Sequence, residues 1–277
     1  MIARELLELR SRHGGVIRGR ALLSPEAMTC VIICHGFKGF SKWGFFPHLT
    51  RQIALAGFHA ISFNFAGSGI GPDGKTFTDF AGFEQNSYTR ELDDLATVEA
   101  EARRRGWLGA RYGLVGHSRG GGIAVLHAAQ SDRLGALVTW SAIADVGRWP
   151  SDELRRWRER GYTEVENSRT KQIFRLGRTM LDEVEQLRDT RLNIVAAAAR
   201  VRAPWLIVHG TEDETVSFGD AERLRAAAAP GVATFLPVEG AGHTYGAAHP
   251  MSDPPPPNVE RAVRATVEFL KAQLRPE

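Results

Sequence analysis

The chain has 277 residues, 43% hydrophobic and 24% charged, an ordinary globular composition with ample apolar material for a core. Its formal charge of +3 comes from arginines interspersed with acids, as in Arg155-Arg156-Trp157-Arg158-Glu159-Arg160, so no clustered basic face or nucleic-acid partner is expected. No stretch approaches the ~20 apolar residues of a membrane span, and Met1 to Arg10 lacks an apolar signal core, so a cytoplasmic location without a membrane partner is expected.

Val16 to Leu23 alternates in strand fashion and ends at the turn Ser24-Pro25. Cys30 to Cys34 is a short β-branched run, as in a strand buried on both faces. Its two cysteines, the only ones in the chain, would lie roughly 13 Å apart, too far to bridge. Two buried free thiols fit a reducing compartment. Phe46 to Ala56 has helical spacing and stops at Gly57; His59 to Phe65 is a strand, followed by the turn Ala66-Gly67-Ser68-Gly69.

Leu92, Leu95, Val98 and Ala102 set a helix over Ser87 to Arg105, ended by Gly106. Tyr112 to Val115 is a strand, Gly120 to Gln130 a small-residue helix, and Leu134 to Trp140 a strand. Two more strands, Trp205 to His209 and Ala233 to Val238, flank a helix over Asp220 to Ala229. Val259 to Leu274 is a closing amphipathic helix.

This alternation predicts an α/β fold, a doubly wound and mostly parallel sheet with helices on both faces. Residues 145–200 interrupt it with arginine- and glutamate-rich segments of helical character and no clear strand. The expected organisation is therefore a core over residues 1–144 and 201–277, with a helical cap inserted at 145–200.

Gly116-His117-Ser118-Arg119-Gly120 matches Gly-x-Ser-x-Gly on a strand-to-helix turn. The chemistry needs the serine there: a sharp turn aims its hydroxyl off the sheet's end, and the helix N-terminus beneath favours developing negative charge. The segment lacks both Gly-x-Gly-x-x-Gly and a Gly-Lys-Ser/Thr ending, which argues against a phosphate-binding turn. His117 is expected to point away from Ser118.

Acyl transfer needs two N–H donors at the oxyanion. The amide of Arg119 is one candidate; Phe37, in the loop His35-Gly36-Phe37-Lys38-Gly39 after the buried strand, is the other. His35 is read as a residue that hydrogen-bonds this loop, and Phe37 also as a substrate-binding residue. For the acid, Asp213 in His209-Gly210-x-x-Asp213-x-x-Val216 follows a strand end, with Asp145 as a rival and a helix cap as the non-catalytic alternative. Gly240-Ala241-Gly242-His243 supplies the base, completing the chain order Ser, Asp, His. No histidine, cysteine and carboxylate cluster has metal-ligand spacing, so no metal is expected.

Together these four motifs resemble the α/β-hydrolase superfamily, and are most similar to its small serine esterases, dienelactone-hydrolase-like proteins and prolyl-oligopeptidase-type catalytic domains. The resemblance spans nearly the whole chain. It implies cleavage of a small-molecule ester through a Ser118–His243–Asp213 triad and an acyl-enzyme, without cofactor, and an insertion that caps the site.

The sequence departs from common relatives at Ala66-Gly67-Ser68-Gly69, where many carry an arginine before the first glycine. A serine nucleophile argues against the cysteine dienelactone hydrolases and the aspartate dehalogenases. In the cap, Trp149, Trp157, Phe174, Tyr162 and Met180 are candidates for an apolar wall over Ser118, or for packing the cap onto the core. A small hydrophobic acyl or aryl ester is the expected substrate. An aminopeptidase or acylaminoacyl-peptidase activity, or a non-catalytic ligand receptor on the same fold, remain alternatives.

Overall fold

The computed structural model describes residues 1–27, 29–167 and 170–274. Eight strands form one sheet: β1 (Ala3–Arg10), β2 (Val16–Leu23), β3 (Cys30–Cys34), β4 (His59–Asn64), β5 (Tyr112–His117), β6 (Leu134–Trp140), β9 (Trp205–Gly210) and β10 (Ala233–Val238). Their order across the sheet is β1-β2-β4-β3-β5-β6-β9-β10, with β1–β2 and β2–β4 antiparallel and every later pair parallel. This is the expected doubly wound α/β architecture.

The sheet is covered on both sides, which is why its central strands read as unbroken apolar runs. Along β3, Cys30, Ile32 and Cys34 join one buried cluster while Val31 and Ile33 join the other. Helices α1 (Phe46–Leu55) and α9 (Pro257–Leu274) cover the second face through Leu49, Ile53, Val259 and Leu270. Helices α3 (Tyr88–Arg104), α4 (Arg119–Ala128) and α8 (Phe218–Ala227) cover the first through Leu95, Ile123 and Leu224. Both cysteines are free and buried.

Two elements depart from expectation. Strand β1, over a segment read only as lacking an apolar signal core, pairs along its whole length with β2. As an edge strand it buries only Leu7 and leaves Leu6 at 74% exposure, so the sequence carries no buried stripe there. The second departure is the insertion at 145–200, which is not purely helical. Between α5 (Ser151–Arg160) and α6 (Arg178–Leu187) lies an antiparallel hairpin, β7 (Tyr162–Glu166) with β8 (Ile173–Gly177). Glu164 faces Arg175 across it, and such cross-strand charge pairs masked the strand signal. The short helices α2 (Phe80–Glu84) and α7 (Ile194–Ala198) complete the elements.

The insertion docks through a few specific handles. Glu183 in α6 accepts hydrogen bonds from Ser87 Oγ (2.9 Å) and the amide of Tyr88 (2.7 Å), closing the N-terminus of α3. Phe174 in β8 packs on Phe83 of α2 with ring centroids 4.7 Å apart.

Candidate active site

Strand β5 ends at His117 and α4 begins at Arg119, so Ser118 alone makes the turn. Its φ of 57° and ψ of −123° lie where L-residues are strained. The turn is that tight because its neighbours are glycines. A Cβ on Gly116 would lie 2.3 Å from the carbonyl oxygen of Gly120, and one on Gly120 would lie 2.3 Å from that of His35. The loop after β3 presses on the serine from the other side: a Cβ on Gly36 would sit 2.8 Å from Ser118 Cβ. Ser118 is 8% exposed and borders a cavity of about 540 Å³ together with Phe37, Trp43, His117, Trp149 and His243.

His243 lies in the loop after β10. Its Nδ1 is 2.9 and 3.1 Å from the two carboxylate oxygens of Asp213, which fixes the proton on Nδ1 and leaves Nε2 as the acceptor. The Asp213 side chain is fully buried. Burial alone would raise its pKa, but hydrogen bonds from His209 and His243, the charge of His243 and the Val216 amide outweigh it and hold the carboxyl well below the ordinary carboxylate range. The amides of Thr215 and Val216 donate to its Oδ1 at 2.9 and 2.8 Å. Asp145, the rival acid, instead pairs with Arg188 at 2.5 Å and borders a separate pocket.

His117 holds the base loop: its Nε2 donates to the carbonyl oxygen of His243 at 3.0 Å, and the two rings lie 4.7 Å apart. Burial, with the charge of His243 adding to it, lowers the His117 pKa to about 3, so the ring is neutral. Its role is not evident from the sequence, because the residue between Gly116 and Ser118 is unconstrained by the motif. His35 keeps the loop after β3 in place. The Phe65 amide donates to its Nε2 (3.3 Å), so its Nδ1 carries the proton and donates to the Gly36 carbonyl (2.8 Å).

Among the described residues, no hydrogen bond occupies the backbone amide of Phe37 or of Arg119, and none joins the Ser118 hydroxyl to another side chain. The Arg119 side chain turns away from the helix and is buried. Its guanidinium lies 4.1 Å from the Phe37 ring centroid and 4.7 Å from that of Tyr88, and 3.4 Å from Glu91.

Of the apolar residues expected to face Ser118, Phe37 and Trp149 border the cavity and Trp157 and Phe174 do not. Trp157 (0% exposed) packs edge-on against Trp149, and Phe174 (1% exposed) packs among Phe77, Phe80 and Phe83. For these two the alternative of packing the insertion onto the core fits, since the hairpin turns Phe174 toward α2. Lys38, Tyr88, Arg148 and Asn167 border the cavity without a sequence signal that marked them. Among the described residues, no three histidine, cysteine or acidic side chains are arranged to hold a metal ion. No described helix is long and apolar enough to cross a membrane.

The sequence profile of the Alpha/beta hydrolase family matches residues 31–259. The chain belongs to this family. No curated protein matches it in sequence. Among solved structures, the alpha/beta hydrolase is similar to Est1E from Butyrivibrio proteoclasticus, at 17% identity and a TM-score of 0.73, covering 97% of this chain and 98% of that one. It is similar to the alpha/beta hydrolase GrgF from Penicillium sp. sh18, at 16% identity and a TM-score of 0.73, covering 98% and 99%. It is also similar to the monoacylglycerol lipase of Paleococcus ferrophilus, at 20% identity and a TM-score of 0.66, covering 99% of both chains. At these identities the likeness is one of fold.

Proposed function

We propose that this alpha/beta hydrolase is a cytoplasmic serine hydrolase that cleaves a small-molecule carboxylic ester. The single observation that carries the reading is the conjunction at one cavity of a strained, glycine-flanked Ser118 with an imidazole whose Nδ1 is held by a buried, ionised Asp213. In the first step His243 Nε2 takes the Ser118 proton as Oγ attacks the ester carbonyl carbon. Asp213 fixes the tautomer and stabilises the imidazolium that forms. The negative charge on the carbonyl oxygen is met by the two unoccupied amides, Phe37 and Arg119, each donor contributing about 3 kcal/mol.

His243 then gives its proton to the departing alcohol, leaving an acyl group on Ser118. Water, deprotonated by His243, attacks that acyl carbon, and the serine leaves with the proton back on Oγ. No cofactor enters the sequence of steps. The Arg119 guanidinium, seated on the Phe37 ring, ties the segments that carry the two amides to each other. The insertion acts as a cap through Trp149, which with Phe37 gives the cavity apolar walls suited to a hydrophobic acyl or aryl group.

Turnover of a p-nitrophenyl acyl ester tests the reading. Ser118→Ala is expected to lower kcat on the order of 10⁴-fold or more. Full activity in that variant, or no turnover of any ester by the native enzyme, would overturn it.

A further inference from the structure

The charges around the cavity do not balance. Three cationic side chains, Lys38, Arg119 and Arg148, border it, and among the described lining residues there is no aspartate or glutamate. Arg119 is compensated by Glu91 at 3.4 Å. The other two form no ion pair among the described residues. Lys38 Nζ donates to the backbone carbonyl of Glu166 at 2.8 Å, while the Glu166 carboxylate turns to Lys171 at 3.1 Å. Arg148 donates to the backbone carbonyl of Thr215 at 2.6 Å.

A cation tethered by a carbonyl is positioned but keeps its charge and further donors for a ligand. These tethers fix Lys38 to the hairpin of the insertion and Arg148 to the segment after β9. Lys38 extends from the loop after β3, with Nζ 5.7 Å from the Phe37 ring, and Arg148 sits beside the loop that carries Asp213. Asp213 is fully buried behind His243, with its oxygens taken by four donors. A substrate therefore meets apolar walls at Phe37 and Trp149 and excess positive charge at the rim.

We propose that the ester this enzyme cleaves carries a negatively charged group, a carboxylate or a phosphate, on its acyl or its alcohol part. The proposal rests on the serine-hydrolase reading above and narrows it from a hydrophobic ester to an anionic one. The anion is held by Lys38 and Arg148 while the apolar part lies between Phe37 and Trp149. Such a rim also raises the rate at which anions reach the cavity, an effect that salt screens.

The test compares esters of similar size and different charge: p-nitrophenyl hemiadipate against p-nitrophenyl 6-methylheptanoate for the acyl side, and 4-acetoxybenzoate against 4-acetoxybenzamide for the alcohol side. The native enzyme is expected to favour at least one charged ester over its neutral match by about tenfold or more in kcat/KM, the range of one charge-assisted hydrogen bond. The preference should shrink as salt is raised. In Lys38→Met or Arg148→Gln the charged-to-neutral ratio should fall toward one, a change that simple loss of structure would not produce.

If both neutral esters are cleaved in a Ser118-dependent way as well as their charged matches, or the ratio survives both substitutions, the anionic inference is overturned and the serine hydrolase stands. If no ester of either charge is cleaved, the underlying reading fails with it.

Discussion

The turn at Ser118 and the insertion at 145–200 share one buried cluster but differ in what surrounds their chain. Around the elbow, backbone meets backbone with no space for a single methyl: the missing Cβ of Gly120 would lie 2.3 Å from the His35 carbonyl and that of Gly121 2.5 Å from Ala142 Cβ. In the insertion, Gly161 takes a φ of +81° to end α5 with nothing within 4 Å of its missing Cβ, although a Cβ on Gly177 would lie 2.7 Å from the Glu84 carbonyl. The insertion joins the first buried cluster through Leu176, Met180, Leu181 and Ile194 and adds polar handles, such as Glu183 on α3 and Gln172 Nε2 on the Phe77 carbonyl (3.2 Å). The core thus packs tightly around Ser118, while the insertion contributes Trp149 and Arg148 to the cavity lining. A fold divided in this way keeps the chemistry constant and leaves substrate choice adjustable.

The sharpest way to separate the two regions is acid. His35 and His117 are buried in the core, and burial lowers their pKa values to about 4 and about 3. Above about pH 6.5 the rings are neutral in both folded and unfolded chains. Below it the unfolded chain binds protons that the folded chain refuses, so stability is lost as pH falls toward those values, by about 1.4 kcal/mol per pH unit for each histidine. Melting temperature against pH should show this slope. His117→Gln should remove about one proton's share of it, and an unchanged slope would mean that His117 is not held neutral.

A smaller effect, on the order of 3 kcal/mol, is expected from Gly120→Ala, which drives a methyl into the His35 carbonyl. Denaturant unfolding should record the loss, and a variant as stable as the native protein would show that the elbow has slack. The smallest effect is expected in the insertion. Glu183→Ala leaves the Ser87 cap but removes the carboxylate that accepts from the first amides of α3, and should cost about 1–2 kcal/mol, lowering the melting temperature by a few degrees. A larger loss would mean that the insertion and core unfold as one unit.

Most of this division was readable in the amino-acid order. The run Cys-Val-Ile-Ile-Cys names a strand covered on both faces, and Leu134–Trp140 and Ala233–Val238 form strands with the bounds their residues suggest. Ser118, Asp213 and His243 were candidates from their motifs because each lies in a glycine-containing turn just past the end of a strand. The hairpin β7–β8 was not legible, since β7 is mostly polar with no buried residue and the buried alternation in β8, Phe174 and Leu176, is only two residues long. Of the two readings offered for Trp157 and Phe174, packing rather than a wall over Ser118 fits their positions: a large apolar residue declares that it is buried, but not against what. His117 and the rim cations escaped because their roles come from neighbours far along the chain, His243 for the one, Glu166 and Thr215 for the others.

The central claim is that Ser118 is activated by the His243–Asp213 pair. A fluorophosphonate probe reacts with such a serine hydroxyl, displacing fluoride and forming a phosphonyl ester on Oγ. Peptide mass spectrometry of the labelled native protein should find one adduct, on Ser118, with labelling slowed by orders of magnitude in His243→Ala. An adduct on another residue, or labelling of Ser118 at the same rate without His243, would contradict it.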